Sequence, residues 1–199
     1  MEKKRLILFG IIGPLLYFSI LTLLGILWSG YNPISTGMSE IGAVDSPFSN
    51  IMNYLGFSLL GISIILFSTG FRDYFKKGWQ IATSYILLLA GGISMFLVGF
   101  LPCDAMCIDV TLRGTFHSIA STISAIAVSL AIIIAAYPVS KKLGKHWGYA
   151  SFYIGILSMA SGPIMLLGLL AGYSGLIQRI GIGLSLLWMA VIALKLRKL

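Results

Sequence analysis

Charge is scarce in this sequence. Only 10% of its 199 residues are charged, whereas 58% are hydrophobic, and the mean hydropathy is +0.97. Too few polar side chains remain to cover the surface of a soluble globule, which excludes an ordinary soluble domain. We therefore expect lipid to be the solvent for most of the surface.

Cysteine and histidine are equally scarce, with two residues of each. The two histidines fall on opposite sides of the predicted membrane, which argues against a multi-histidine metal centre or a bis-histidine haem. Neither Gly-x-Ser-x-Gly nor His-Glu-x-x-His occurs, so no nucleophile or zinc-protease motif is present. The sequence predicts no cofactor and no metal site.

Long apolar runs are what the chain does have. Each is close to the roughly 20 residues that cross a hydrocarbon core as a helix, and each is too long for a barrel strand. A backbone in hydrocarbon must satisfy its own hydrogen bonds, which favours helices. The first run is too long for the apolar region of a signal peptide. We predict an all-α membrane protein, a single domain over 1–199 that forms a six-transmembrane-helix bundle, with helices at 6–28, 51–71, 80–101, 114–138, 148–172 and 177–194.

The basic residues are sorted to one end of the predicted hairpins. All lysines and arginines except Arg113 and Arg179 fall there: Lys3, Lys4, Arg5, Arg72, Lys76, Lys77, Lys141, Lys142, Lys145, Lys195, Arg197 and Lys198. The positive-inside rule then places both termini in the cytoplasm and predicts a multi-pass protein of the cell membrane. Because the net charge of +8 is spread over several loops rather than one patch, no nucleic-acid partner is expected.

The longest connection, from Ser29 to Asn50, contains Asn-Pro, Thr-Gly and Ser-Pro pairs that predict an ordered, turning segment. Two interpretations stay open. The segment either caps the bundle, or it is a re-entrant lid whose Ser35, Ser39 and Glu40 face a cavity. Asn50 and Asn53 lie one turn apart at the start of helix two and are placed to bond this segment or a ligand.

The stretch from Leu101 to His117 concentrates the chain's cysteines, acids, an arginine and a histidine. Cys103 and Cys107 lie on the outer side of the predicted topology, where disulfides persist, and we expect them to pair. Their Cys-x-x-x-Cys spacing falls outside the two-residue zinc knuckle, so metal binding is only weakly indicated.

Helix four differs from the other helices because a small or polar stripe runs along it. An ionisable side chain inside a helical bundle is a functional hypothesis by default, which makes His117 the first candidate. We expect this stripe to face the interior: Gly114, His117, Ser118, Ser121, Thr122, Ala125 and Ser129.

Small residues on two other helices predict close packing between helices. They are Gly91 and Gly92 on helix three, and Ser151, Gly155, Ser158 and Gly162 on helix five. Such stripes pack helices within one chain or between chains equally well, so a homo-oligomer stays open.

Two functions can be built from the polar residues of the outer side. In the first, which we prefer, they form an outward-facing pocket that binds or moves a membrane lipid or another amphiphilic small molecule. In the second, the protein is a membrane-embedded lipid hydrolase or group transferase, with His117 as the general base and an acidic partner among Asp104, Asp109 and Glu40. Arg113 or Arg179 would then hold a phosphate or carboxylate. The predicted ligand site comprises Ser39, Glu40, Asn53, Asp104, Asp109, Arg113, His117, Ser121 and Arg179.

Several short motifs resemble one known family. They are Pro33-Ile-Ser with Ser39-Glu-Ile-Gly42, Pro102-Cys-Asp104 with Gly114-Thr-Phe-His117, and Gly175-Leu-Ile-Gln-Arg179 before Trp188. Together they resemble the six-span prokaryotic membrane proteins catalogued as domain of unknown function 998. That family is distantly similar to DRAM-like autophagy modulators and to membrane proteins that remodel lipid anchors. The resemblance implies lipid-related work by analogy and supplies no reaction.

Overall fold

The computed structural model describes residues 5–75 and 77–199, and six of its helices are long and apolar enough to cross a membrane. Lys3, Lys4 and Lys76, which belong to the predicted basic clusters, lie outside these residues. The helices are α1 Leu6–Leu27, α2 Ser49–Asp73, α3 Trp79–Val98, α4 Leu112–Leu143, α5 Lys145–Leu166 and α6 Ser174–Arg197. This confirms the six-helix prediction for the described part of the chain.

Each helix packs against its neighbour in the chain, and α6 packs against α1, so the six helices close into a ring. One end of the ring, here called the capped end, carries the connections 28–48, 99–111 and 167–173. The other, here called the basic end, carries most of the lysines and arginines. At the basic end, Lys195 lies 4.7 Å from the ring centre of Trp147, and Lys142 lies 5.6 Å from that of Phe75.

Two predicted boundaries on α4 and α5 are wrong. Helix α4 continues five residues past the expected end, until Gly144 breaks it with a φ of +108°. Helix α5 ends at Leu166 rather than at residue 172, because Gly168 turns the chain with a φ of +62°. Glycine accepts this left-handed conformation without steric cost, which makes it the usual residue just past a helix end. An apolar run shows where hydrocarbon is tolerated, but it does not show where the backbone turns.

Small residues bring the helices together as predicted, with one exception. A Cβ on Gly92 would lie 2.8 Å from Ile65 of α2, and one on Gly91 would lie 2.7 Å from Val128 of α4. Gly155 approaches Ile133 in the same way, whereas nothing lies within 4 Å of a Cβ on Gly162. Gly162 therefore belongs to no packing seam, since the last turns of α5 are largely exposed.

The connection 28–48, here called the cap loop, closes the capped end. Two of its own side chains, Met38 and Ile41, are fully buried. The hydroxyl of Tyr17 on α1 donates to the Met38 sulfur at 3.7 Å. Ser35 is exposed, and Ser39 and Glu40 are half-buried. The capping interpretation of this segment therefore holds, and its apolar side chains rather than its polar ones face the interior.

Candidate functional site

Arg179 and Gln178, at the start of α6, hold the cap loop. The Nη1 atom of Arg179 donates to the carbonyl oxygens of Pro33 and Thr36 at 2.7 and 3.1 Å, and its Nη2 atom donates to the Tyr31 hydroxyl. Gln178 accepts from the Met38 amide at 2.6 Å. The structure thus uses Arg179 to fasten backbone, rather than leaving it free for a phosphate or carboxylate.

Glu40 has a similar local partner. Its Oε1 atom accepts from the Gly37 amide at 2.6 Å, which stabilises the turn that precedes the 3₁₀ segment Ser39–Gly42. The Ser39 hydroxyl accepts from the side-chain Nε2 atom of Gln178 at 3.2 Å. Two predicted site residues, Ser39 and Glu40, therefore lie with Gln178 and Arg179 in one cluster around the cap loop.

Asp104 organises the turn that leads into α4. It accepts from the Thr111 amide at 2.7 Å, the Thr111 hydroxyl at 2.8 Å and the Val110 amide at 2.9 Å. The Arg113 guanidinium lies 3.5 Å from the same carboxylate. Bonds from the Thr111 amide and hydroxyl lower the pKa of Asp104, because they stabilise the ionised form. Asp104 and Arg113 thus converge as predicted, but on a helix start rather than on an open pocket.

Cys103 and Cys107 form a disulfide, as the sequence predicts. Cys103 is fully buried, and its sulfur lies 3.5 Å from the carbonyl oxygen of Ser39. Its own carbonyl accepts from the Val44 amide at 3.1 Å. The disulfide turn therefore packs directly against the cap loop, and the two longest connections of the capped end support each other.

His117 is buried in the first turns of α4, with 3% of its surface exposed. Its Nδ1 atom lies 2.6 Å from the carbonyl oxygen of Leu101, and its Nε2 atom has no hydrogen-bond partner among the described residues. Asp109, a predicted neighbour, instead accepts from the Ser118 hydroxyl at 2.8 Å. No carboxylate in the described chain bonds to the imidazole, so the expected pairing of the histidine with an acid does not form.

The polar stripe of α4 is turned from its predicted orientation. Thr122 and Ala125 are exposed and Ser121 is half-buried, whereas Ser124 is buried. The buried positions Gly114, His117, Ser124 and Val128 are separated by three, seven and four residues, so they lie on one face of the helix. The prediction was wrong for Thr122 and Ala125. A small or hydroxyl side chain can face lipid when the backbone of its helix is fully hydrogen-bonded, so a small or polar residue does not by itself identify the inner face.

Asn53 lies beneath the cap loop in a π-helical segment of α2, Met52–Ser58. Its Nδ2 atom donates to the Gly42 carbonyl at 2.8 Å and to the Ser49 hydroxyl at 3.1 Å. Its Oδ1 atom is buried without a partner among the described residues. Such π segments are rare and are found frequently at functional sites.

A groove of about 540 Å³ opens beside Asn53, between the start of α2 and the connection after α3. It is lined by Val44, Ser46, Pro47, Ser49, Asn50, Ile51 and Pro102. None of these residues belongs to the predicted ligand site. Two prolines in the sequence could have indicated this groove. Pro47 precedes α2 and Pro102 follows α3, and proline is common where a helix ends and the chain turns.

The predicted site residues therefore do not form one pocket. Ser39 and Glu40 lie in the cap loop, and Arg179 holds this loop from α6. Asp104 bonds the turn before α4 and pairs with Arg113, whereas Thr111 caps the helix. Asp109 bonds Ser118, and His117 lies beside the cysteines: one ring nitrogen and the two sulfurs all lie within 4.8 Å of one another. Asn53 alone adjoins the groove, through its bond to Ser49.

The comparisons with known proteins name no reaction. No curated protein and no solved structure matches the chain. A family model described as protein of unknown function (DUF998) matches residues 11–195. The match covers all six helices almost from end to end, and the chain belongs to the DUF998 family of membrane proteins.

Proposed function

We propose that this protein binds a lipid or another amphiphile at its capped end, with the polar head in the groove beside α2 and the tail along the outer surface of α2 and α3. The groove carries the proposal, because it combines the hydroxyl of Ser49 and the amide of Asn50 with the apolar side chains of Val44 and Ile51. A lining of mixed character suits a molecule that has one polar and one apolar part.

The surface below the groove continues its apolar side. Ile51, Tyr54 and Phe100 are exposed, and the rings of Tyr54 and Phe100 contact each other edge to face with 5.7 Å between their centres. Aromatic side chains favour the interface between head groups and hydrocarbon, where an apolar body and a polar edge are both accommodated. A bound tail would run over this pair while the head stays in the groove.

The polar side of the groove is backed by Asn53. Its amide supports the Ser49 hydroxyl, and its own Oδ1 atom is an acceptor without a donor. The Ser49 hydroxyl also donates to the Gly42 carbonyl at 3.0 Å, so its orientation at the groove is fixed by two bonds.

The membrane orientation follows from charge. By the positive-inside rule the basic end faces the cytoplasm, so the groove opens away from it, in a multi-pass protein of the cell membrane. Binding is preferred to hydrolysis or group transfer because the described geometry brings no carboxylate or hydroxyl nucleophile to His117. The distant similarity to DRAM-like proteins and lipid-anchor remodelling proteins agrees with a lipid ligand by analogy alone.

The test is to fill the groove. Asn50→Trp places a large side chain in it at an exposed position whose side chain forms no hydrogen bond with the described residues. The control Ser29→Trp puts the same side chain on an exposed residue of the cap loop away from the groove. Lipid that travels with each purified protein is identified by mass spectrometry.

We expect wild-type protein and Ser29→Trp to carry the same lipid or amphiphile, and Asn50→Trp to lose it. Equal retention by the two tryptophan variants would overturn the groove as the site. Wild-type protein with no bound amphiphile, and no uptake from vesicles of phosphatidylethanolamine and phosphatidylglycerol, would overturn the function.

A further inference from the structure

We propose that the capped end also holds a metal site which opens only when the disulfide is reduced, with Cys103, Cys107 and His117 as its ligands. The site is separate from the groove and does not rest on its function. The ion is of the thiophilic class, exemplified by Zn²⁺ or Cu⁺. This departs from the expectation drawn from the sequence, where the cysteine spacing argued against a metal.

Proximity is the first argument. The two sulfurs and one ring nitrogen of His117 all lie within 4.8 Å of one another. A tetrahedral ion with bonds of about 2.0 Å to nitrogen and about 2.3 Å to sulfur places its ligand atoms about 3.5 to 3.8 Å apart. The three side chains reach this geometry by small rotations once the sulfurs are free, without a change in the helices.

The state of the imidazole is the second argument. A carbonyl oxygen only accepts, so the contact with Leu101 places the proton of a neutral ring on Nδ1 and leaves the lone pair on Nε2. This atom is buried and has no partner among the described residues. Metal-bound histidines commonly donate their other N–H to a backbone carbonyl, which fixes the ring for ligation. His117 is held in this manner.

Access and chemistry complete the site. Cys107 is half-buried while Cys103 and His117 are buried, so an ion can enter from the side of Cys107. A dithiol reductant supplies two electrons and two protons, which convert the disulfide to two thiols while the reductant forms its own disulfide. Metal binding then releases both thiol protons and yields two thiolates and one imidazole around the ion. A fourth position stays open for water.

The chain contains its own control, because His146 is the second histidine and lies exposed at the basic end. The full-length protein is purified in detergent and either oxidised or reduced with a phosphine, which reduces disulfides without supplying thiols. Binding of Zn²⁺ and of Cu⁺ is measured separately by dialysis and elemental analysis. Co²⁺ is added in a third arm, because thiolate ligands produce a charge-transfer absorption.

We expect one ion per chain in the reduced protein and none in the oxidised protein. His117→Gln should weaken binding at least about 10-fold, since loss of groups that merely support a ligand already costs 10- to 100-fold. His146→Gln should leave it unchanged. Cys107→Ser, at the half-buried position, removes one of the two thiolates and should weaken the thiolate band of the cobalt form, which provides a second readout if His117→Gln fails to fold.

Two results would overturn the proposal. One is a reduced wild-type protein that binds none of the three ions. The other is binding of equal affinity in the oxidised and reduced proteins, or in His117→Gln and His146→Gln, which would assign the ion to another place.

Discussion

Replacing Arg179 with methionine tests whether one side chain holds the cap loop on the bundle. The Nη1 atom of Arg179 lies 2.7 to 3.1 Å from the carbonyl oxygens of Pro33, Gly175 and Thr36, and Nη2 donates to the Tyr31 hydroxyl. Methionine replaces the apolar stem of arginine but lacks the guanidinium and has no donor. The substitution therefore removes the bonds and leaves the packing.

The magnitude follows from the number of donors. The two N–H groups of Nη1 are shared by three carbonyls, so about three bonds are lost when the tyrosine is included. At a net 0.5 to 1.5 kcal/mol each, the free energy for opening the loop falls by about 1.5 to 4.5 kcal/mol. The larger figure for charged donors does not apply, because Arg179 is half-exposed and water screens it. A tenfold change per 1.4 kcal/mol then predicts opening that is about 10- to 1,600-fold more frequent.

Hydrogen exchange measured by mass spectrometry reports this opening directly. The amide of Met38 donates to Gln178 across the boundary between the cap loop and α6, so peptides that cover residues 31–42 contain the relevant protons. Their exchange should accelerate by the predicted factor in Arg179→Met. Peptides from the centre of α3 should be unaffected, since local opening does not require global unfolding.

Two variants separate the clamp from a general effect of charge. Arg113→Met removes the other arginine of the capped end, which is exposed and pairs with Asp104, and it should leave exchange of residues 31–42 unchanged. Arg179→Lys keeps the charge but presents a single nitrogen, so its exchange should be intermediate. Exchange in Arg179→Met equal to that of the wild type would refute the clamp.

Two further predictions concern packing and acid stability. Gly61→Ala places a Cβ 2.3 Å from the backbone nitrogen of Phe96, about 1.1 Å inside the 3.4 Å of an ordinary contact, so α2 and α3 must part at a cost of about 1 to 3 kcal/mol. Gly162→Ala, which meets nothing within 4 Å, should not lower the midpoint of thermal unfolding in detergent, and equal midpoints for the two variants would contradict the close approach. The pKa of Asp104 is lowered in the fold by bonds from Thr111, so its stabilisation is complete above the unfolded pKa and is lost as pH falls through the folded one. The difference in unfolding midpoint between wild type and Asp104→Asn should therefore be constant near neutral pH and shrink in acid; a difference that persists below the folded pKa would contradict this role.

Much of the fold was predictable because it depends on the solvent. Apolar runs of about 20 residues have few alternatives to a transmembrane helix, and basic clusters at alternate connections predict which ends of the helices face the cytoplasm. The disulfide was predictable for a simpler reason. Cys103 and Cys107 had no other cysteine with which to pair.

The candidate site was less predictable because polar residues have several possible partners. Arg179, Glu40 and Asp104 were expected to converge on a ligand. In the structure each instead forms hydrogen bonds with nearby backbone groups. Because the chain has few polar side chains, these backbone groups have few other partners. A sequence shows which side chains can donate or accept, but the partner depends on backbone geometry that forms only when the cap loop folds onto α6.

The sequence by itself determined the environment, the number of helices and the end of the bundle at which polar chemistry gathers. These depend on hydropathy and charge, which are summed over many residues. Only the tertiary structure decided that Met38 and Ile41 seal the capped end, that a groove lies between Asn50 and Pro102, and that one ring nitrogen of His117 lies within 4.8 Å of two sulfurs. Those features depend on distances of a few ångströms between residues far apart in the chain, and only the packing of the helices sets such distances.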